Sequence, residues 1–141
     1  MNENEISRVI VDAAIETHKT LGGPGLLESI YRDAMVIEFG RREIACEKEK
    51  LVPVIYKGQI LSTPLRLDLL VGGLVVVECK ATTVPHPVYE SQLLTYLRLT
   101  NLKLGLLINF GHKYVKNGIT RVVNGLEEEA RPIRRPARYG P

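Results

Sequence analysis

Hydrophobic residues recur at helical spacing through the first forty residues of the chain. Apolar side chains lie three or four positions apart in the first segment, until Gly22-Gly23-Pro24-Gly25 interrupts the pattern. This spacing places them on one face of a helix, and glycines commonly end helices. The pattern therefore predicts one helix over about residues 5–21 and a second over about residues 26–41.

The next segments change to β-branched residues and to long apolar runs. Lys57-Gly58 separates the segment Lys50–Tyr56 from Gln59–Val71, and Gly72-Gly73 separates the latter from Leu74–Lys80. Glycine-containing turns between such runs are typical of hairpins. The middle of the chain is therefore predicted to contain three consecutive strands.

The remaining elements are a helix and two strands. Pro85 and Pro87 break regular structure before a helix predicted over Val88–Thr100. Residues 104–110 are apolar on both faces, as in a covered central strand, and residues 119–124 can form a last short strand. The predicted order, ααβββαββ, indicates an α/β fold with a mixed central sheet flanked by helices.

Length and composition fit one domain followed by a basic tail. The chain has 141 residues, of which 45% are hydrophobic, enough for one core. Residues 126–141 contain four arginines and three prolines without apolar periodicity, so we predict a domain over 1–125 and a disordered tail over 126–141. The net charge of +3 permits nucleic-acid binding but does not require it, since much of the excess lies in this tail.

Cysteine count and hydropathy exclude several classes of protein. Cys46 and Cys79 are the only cysteines and form no CxxC pair, which excludes a disulfide framework and a four-cysteine zinc or iron–sulfur site. The N-terminus lacks a signal pattern, and no apolar run reaches the roughly 18 residues that span a bilayer. We therefore expect a cytoplasmic protein that does not enter the membrane.

Charged residues interrupt two of the predicted strands. Asp68 lies in the run LRLDLLV, and Glu78-Cys79-Lys80 ends the run LVVVECK. Two carboxylates about 4 Å apart repel by about 4 kcal/mol at an effective dielectric near 20, so such a pair favours a bound cation. Oxygen ligands without histidine or thiolate favour Mg²⁺ or Mn²⁺ over zinc. We predict a site in which Asp68, Glu78 and a backbone carbonyl, most simply that of Cys79, hold the metal beside Lys80.

Strand alternation turns this site into a geometric prediction. Asp68 is expected on one face of its strand, with Leu67 and Leu69 on the other. A two-residue turn at Gly72-Gly73 would place Glu78 on the face opposite to Asp68. The site therefore requires an odd-numbered loop or a bulge, which glycines allow.

Three motifs together resemble one known family. Asp68 followed by Glu78-x-Lys80 resembles the PD-(D/E)XK nuclease superfamily, whose core is helix, three strands, helix, strand. The segment Gly25–Tyr31 resembles the GxxExxY signature of a small bacterial and archaeal branch, and Gln92–Tyr96 resembles the QxxxY motif of RecB-like members. The resemblance covers about residues 5–125.

This resemblance implies a restriction-endonuclease-like fold and metal-dependent hydrolysis of nucleic-acid phosphodiester bonds, with DNA favoured over RNA. It implies that Glu28 completes the metal shell of Asp68 and Glu78. Lys80 takes the place of the catalytic lysine. Leu67 stands where the family name records a proline, which many members lack.

On the third predicted helix, the resemblance implies that Gln92 and Tyr96 line the site and contact metal-bound water or the substrate strand. The alternative for these two residues is an ordinary helix edge or core packing. For Glu28 the alternative is a favourable interaction with the dipole of the second helix. Lys113, Lys116 and Arg121 could contact phosphates, but we interpret them as a solvated charged edge.

Two other functions fit the same pattern. A catalytically silent module that binds nucleic acid or protein would keep the fold, and a structural protein would use the acids as a salt-bridge cluster. A monomer of this size offers little surface to bind a nucleic-acid duplex. A homodimer or a protein partner is therefore an open expectation.

Overall fold

The computed structural model describes residues 1–84 and 86–127, which form helices packed on both faces of a five-stranded sheet. The elements are α1 (Glu3–Thr20), α2 (Glu28–Arg41), β1 (Cys46–Val52), β2 (Ile55–Tyr56), β3 (Gln59–Ile60), β4 (Leu65–Val71), β5 (Val75–Lys80), α3 (Val88–Thr100), β6 (Leu104–Asn109), a 3-10 turn (Val115–Gly118) and β7 (Ile119–Val123). None of the described helices is long and apolar enough to cross a membrane. The tail predicted to be disordered lies outside the described residues from 128 onward.

The three helices lie close to their predicted positions, and α3 has the predicted bounds. The strand predicted over 59–71 is wrong as a single element, because residues 61–64 form a bend between β3 and β4. The strand predicted over 50–56 is also divided, since Pro53 follows β1 and cannot donate a ladder hydrogen bond. The short pair β2–β3 forms a separate hairpin.

The sheet is mixed, as predicted. Its strand order is β1-β4-β5-β6-β7, in which only β5 and β6 pair in parallel among the described strands. Helix α3 connects these two strands. Helices α1 and α2 pack on one face through a core that includes Ile10, Tyr31 and Phe39. Helix α3 packs on the other face through Leu93 and Leu97.

Local hydrogen bonds fix both ends of the first helix. Asn2 and Glu5 form a capping box, in which each backbone amide donates to the other's side chain at 2.8 Å. Beyond the helix, Gly22 and Gly23 adopt positive φ, and the Gly23 amide donates to the carbonyl of His18 at 2.9 Å. The chain then turns through the glycine loop into α2.

The hairpin between β4 and β5 has the odd-numbered loop that the sequence required. Val71 pairs with Val75, which leaves a three-residue loop in which Gly72 and Gly73 have φ of 62° and 70°. The register that begins at this loop brings Asp68 opposite Glu78 when it is extended along the two strands. The loop prediction is therefore confirmed.

The alternation predicted along β4 is wrong at one point. Leu67 packs against the α3 side of the sheet, whereas Leu69 packs against the α1 and α2 side. The interruption falls at Asp68, where the pairing with β1 also skips Glu49. Glu49 has φ of 54°, a conformation that non-glycine residues seldom adopt. The backbone is thus distorted on both strands beside Asp68.

Candidate active site

Asp68 and Glu78 meet where β4 and β5 diverge. The Asp68 amide donates to Oε2 of Glu78 at 3.0 Å, and the amide of Cys79 donates to Oδ2 of Asp68 at 2.9 Å. Each carboxylate therefore binds the backbone of the opposite strand in place of a ladder hydrogen bond. Glu78 is only 6% exposed, so this acid is largely removed from water.

The surroundings of Glu78 disfavour its charge. Burial, and next the negative charge of Asp68, raise the pKa of Glu78 from 4.5 to about 7, and Glu28 adds to the rise. The hydrogen bond from the Asp68 amide and the charge of Lys80 lower this pKa without cancelling the rise. Negative charge at this point is therefore left partly uncompensated by the protein.

The acid pair also raises the pKa values of two neighbouring groups. Burial raises the pKa of the Tyr96 hydroxyl, and the charges of Glu78 and Asp68 raise it further. Tyr96 is partly buried against the core on the α3 side of the sheet and lies within electrostatic range of the acid pair. The Cys79 thiol is buried, and burial followed by the same two carboxylates raises its pKa well above its usual range. A thiol in this environment stays protonated, which argues against Cys79 as a nucleophile.

Gln92 lies one turn before Tyr96 on α3, with an exposed side chain. Among the described residues no side-chain hydrogen bond joins Gln92 to the acid pair. The structure therefore places Tyr96 near the acid pair, whereas the role of Gln92 in the site stays a prediction.

Glu28 is the first residue of α2 and is exposed. Its charge raises the pKa of Glu78, which shows that it lies near the acid pair. Tyr31, one turn later, fixes this end of the helix: its hydroxyl donates to the carbonyl of Gly23 at 2.6 Å and accepts from the amide of Leu26 at 3.2 Å. Tyr31 thus holds the glycine loop that leads to Glu28.

Arg32 is a site residue that the sequence analysis did not predict. Its Nη1 lies 3.8 Å from Oδ1 of Asp68, and its Nη2 lies 3.9 Å from Oε1 of Glu49. Its Nε is buried and has no hydrogen-bond partner among the described residues. Arg32 follows Glu28 by one helical turn on the same face, and this spacing was the signal in the sequence.

The Lys80 ammonium lies at the start of α3, and among the described residues no ion pair within 4.0 Å joins it to Asp68 or Glu78. Its Nζ lies 4.5 Å from the centre of the Tyr89 ring, a cation–π contact. Lys80 and Tyr89 also line a cleft of about 400 Å³, together with His86 and His112. The site is therefore open on the Lys80 side.

Asn109 fixes the backbone that follows Lys80. Its Oδ1 accepts from the amides of Thr82 and Gly111 at 3.0 and 2.9 Å, and its Nδ2 donates to the carbonyl of Thr82 at 3.0 Å. The Phe110 amide donates to the Lys80 carbonyl at 2.7 Å. The buried side chain of Asn109 thus ties the end of β5 to the end of β6.

The donors around the acid pair suit an ion such as Mg²⁺, which takes few protein ligands, better than a metal that is enclosed by protein ligands alone. In residues 1–84 and 86–127, no three histidine, cysteine or acidic side chains lie close enough together to form a complete metal-binding cluster, so Glu28 lies within electrostatic range of the acid pair without completing a three-acid cluster. Since the Cys79 amide points toward Asp68 and the Lys80 carbonyl points toward β6, the Cys79 carbonyl also points toward Asp68. Mg²⁺ commonly uses one or two carboxylates and keeps several waters, and the donors present match that pattern.

Comparison with known proteins identifies a family whose model covers most of the chain. A family model described as the PD-(D/E)XK nuclease superfamily matches residues 4–122. No curated protein matches the chain. A solved structure titled "Crystal structure of SSO0001" is 14% identical, with a TM-score of 0.43, over 86% of this chain and 79% of that chain. At that TM-score the likeness adds nothing to the fold assignment.

Proposed function

Because this chain belongs to the PD-(D/E)XK nuclease superfamily and has its restriction-endonuclease-like fold, we propose that it hydrolyses phosphodiester bonds of DNA with the aid of Mg²⁺ or Mn²⁺. One observation carries the proposal. Asp68 and Glu78 are locked across a diverging strand pair, and the buried Glu78 has a pKa of about 7 because burial and nearby acids oppose its charge. A bound divalent cation would relieve that repulsion.

The proposed metal donors are Asp68, Glu78 and the Cys79 carbonyl, with Glu28 acting from the start of α2. A divalent cation bound by these residues would lower the pKa of a water molecule and neutralise phosphate charge. The phosphate, which has no proton to donate, would be held by the cation and by Lys80, whereas Asp68 and Glu78 would accept hydrogen bonds from that water. Their shared hydrogen bonds to the backbone fix both carboxylates before substrate arrives.

Lys80 supplies the second positive charge. Its side chain extends from the strand that carries Glu78, and its ammonium now rests on the ring of Tyr89. A flexible four-carbon stem allows the ammonium to leave the ring and reach a phosphate oxygen. We propose that Lys80 orients the attacking water and stabilises charge on the phosphate, while Tyr96 and Gln92 contact the substrate strand.

The motif Gly25–Tyr31 supports placement in the GxxExxY branch of the superfamily. In this branch the motif tyrosine, Tyr31, would act by positioning, since its ring packs 4.5 Å from that of Phe110 and its hydroxyl binds the glycine loop. The motif acid, Glu28, would act on the metal. The two residues thus have different proposed roles within one motif.

A second function has an observation in its favour. Arg32 lies 3.8 Å from Asp68, so part of the negative charge that would attract a metal already faces a cation. A silent module that binds nucleic acid would retain this arrangement, with the acids used as a salt-bridge cluster. Cleavage distinguishes the two functions.

The test is a panel of single-stranded, duplex, flap and junction substrates, made in DNA and RNA and incubated with Mn²⁺, Mg²⁺ or EDTA. We expect the parent to cut at least one DNA substrate only when metal is present, and Asp68→Asn to cut none. Asp33→Asn, which alters an exposed acid paired with Lys48, is the matched control and should cut like the parent. Metal-independent cutting, or full activity in Asp68→Asn, would contradict the proposal.

A further inference from the structure

A second cleft is lined by Gly22 and Gly23 of the glycine loop. It has a volume of about 530 Å³ and lies between the end of α1 and the segment 113–116. Among the described residues that line it are three lysines and no acidic side chain. These are Lys19, Lys113 and Lys116, so the cleft has a cationic rim.

The inner surface of this cleft is largely apolar. Ile15 and Val115 line it, and Val115 is only 3% exposed. His18 is also buried there, and its Nε2 lies 3.1 Å from the Phe110 carbonyl. Tyr114 stands at the edge, 57% exposed, with Lys113 Nζ 5.4 Å from its ring centre. An apolar floor with lysines around it suits a ligand that combines a flat apolar group with phosphate.

This cleft is joined to the active site by two short hydrogen-bonded paths. Gly23 lines the cleft, and its carbonyl accepts the Tyr31 hydroxyl, on the helix that begins at Glu28. Phe110, which contacts His18 in the cleft wall, donates its amide to the carbonyl of Lys80. The loop 112–118 borders both clefts, because His112 and Asn117 line the cleft that contains Lys80. A strand that passes over this loop would therefore extend from the Lys80 cleft into the basic cleft.

We propose that this basic cleft binds the single-stranded nucleic acid that flanks the scissile phosphate. Lys19, Lys113 and Lys116 contact backbone phosphates, and the exposed Tyr114 ring stacks on a base. The inference rests on the proposed nuclease function and adds to it a substrate class, a strand that is unpaired beside the cut. Stacking on an aromatic ring tolerates any base, so this cleft would confer no sequence preference.

The test is binding of a fluorescein-labelled single strand of about 15 nucleotides to the full chain, followed by anisotropy in EDTA from about 50 to 200 mM salt. The variant is Lys19→Gln/Lys113→Gln/Lys116→Gln. The control is Lys48→Gln/Lys57→Gln/Lys103→Gln, which removes equal charge from lysines that do not line the cleft. A third protein, Tyr114→Leu, removes the aromatic face and keeps the lysines.

Each lysine that contacts a phosphate contributes about 0.7 to the slope of log K against log salt for a single strand. We expect the cleft triple variant to lose about 2 units of slope and at least tenfold in affinity at the lowest salt, whereas the control triple keeps the parent slope. Tyr114→Leu should bind more weakly with an unchanged slope. Equal losses in both triple variants would show that overall charge, and not the cleft, binds the strand, and would overturn the inference.

The inference and the proposed function can fail separately. If the cleft triple variant binds like the parent while Asp68→Asn abolishes cleavage, the nuclease stands and the cleft assignment falls. If the parent binds a mononucleotide as tightly as the labelled strand, the cleft is a nucleotide site and not a strand site, which also overturns the inference. A parent that binds no strand in EDTA overturns the inference, whereas the cleavage panel with Mn²⁺ or Mg²⁺ decides the proposed function separately.

Discussion

Asp68 and Glu78 each accept a hydrogen bond from the other's strand: the Asp68 amide donates to Glu78 Oε2, and the Cys79 amide donates to Asp68 Oδ2. The two strands diverge at this point, so the carboxylates replace the missing ladder bonds. The acid pair therefore contributes both to the stability of the two strands and to the proposed chemistry. Measurements of stability and of cleavage separate these two contributions.

Glu78→Gln should stabilise the metal-free protein at neutral pH. The folded-state pKa of Glu78 is about 7, against an ordinary 4.5, so between these values the folded state binds more protons than the unfolded state. Stability therefore falls as pH rises through this window, by about 3 kcal/mol in all, and is not regained above it. Glutamine keeps a hydrogen-bond acceptor for the Asp68 amide and carries no charge.

Thermal unfolding in EDTA from pH 4 to 8 measures this effect. The parent should lose stability with rising pH, and Glu78→Gln should lose less and unfold at a higher temperature at pH 8. Glu127→Gln removes an exposed acid and should follow the parent. If Glu78→Gln were less stable than the parent at pH 8, uncompensated charge would not be the dominant effect at this site.

Divalent metal should stabilise the folded protein through the acid pair. A ligand present at 100 times its Kd adds about 2.7 kcal/mol when it binds only the folded state, which raises the melting temperature. Asp68→Asn should remove the shift caused by Mn²⁺ or Mg²⁺, whereas Asp33→Asn should keep it. An equal shift in Asp68→Asn would place the metal elsewhere on the chain.

Arg32→Met should destabilise the metal-free protein and enlarge its response to metal. Arg32 lies 3.8 Å from Asp68, so its loss leaves that carboxylate without its nearest cation, at a cost of about 1 to 3 kcal/mol. Metal binding then compensates a larger repulsion. The exposed pair Arg42–Glu38 provides the control Arg42→Met. An unchanged metal shift in Arg32→Met would show that Arg32 and the metal do not compete for Asp68.

Tyr31→Phe should loosen the glycine loop while leaving the core packed. The phenyl ring can still stack on Phe110, but both hydrogen bonds of the hydroxyl are lost, a cost of about 1 to 2 kcal/mol. Hydrogen exchange of the Leu26 amide should become faster and cleavage slower, because Glu28 follows the loop. Tyr56→Phe, at an exposed ring, should change neither.

Much of the fold could be predicted from the sequence because the periodic patterns that define its helices and strands are local. Val88–Thr100 repeats apolar residues at helical spacing between a proline and a left-handed Asn101, and this helix was predicted with its observed bounds. The odd-numbered loop at Gly72-Gly73 followed from the requirement that Asp68 and Glu78 share one face of the sheet, which only one parity of loop allows and which glycines permit. Short-range geometry was sufficient in both cases.

The remaining features depend on contacts between distant elements. The spacing from Glu28 puts Arg32 on the same face of α2, but which acid Arg32 contacts depends on the packing of α2 near β4, which the sequence pattern does not show. The distortion at Glu49 and the rest position of Lys80 on Tyr89 likewise follow from tertiary packing. The high pKa of Glu78 depends on burial, which the alternation pattern did not reveal.

The central claim is that the Lys80 ammonium acts with the acid pair in metal-dependent cleavage. Lys80→Met keeps an unbranched side chain against Tyr89 and removes only the charge. We predict that this variant melts within a few degrees of the parent, binds Mn²⁺ with the same thermal shift, and cuts the parent's preferred DNA substrate at least about 100-fold more slowly, the scale of an electrostatic contribution to catalysis. Cleavage by Lys80→Met at the parent's rate would contradict the account.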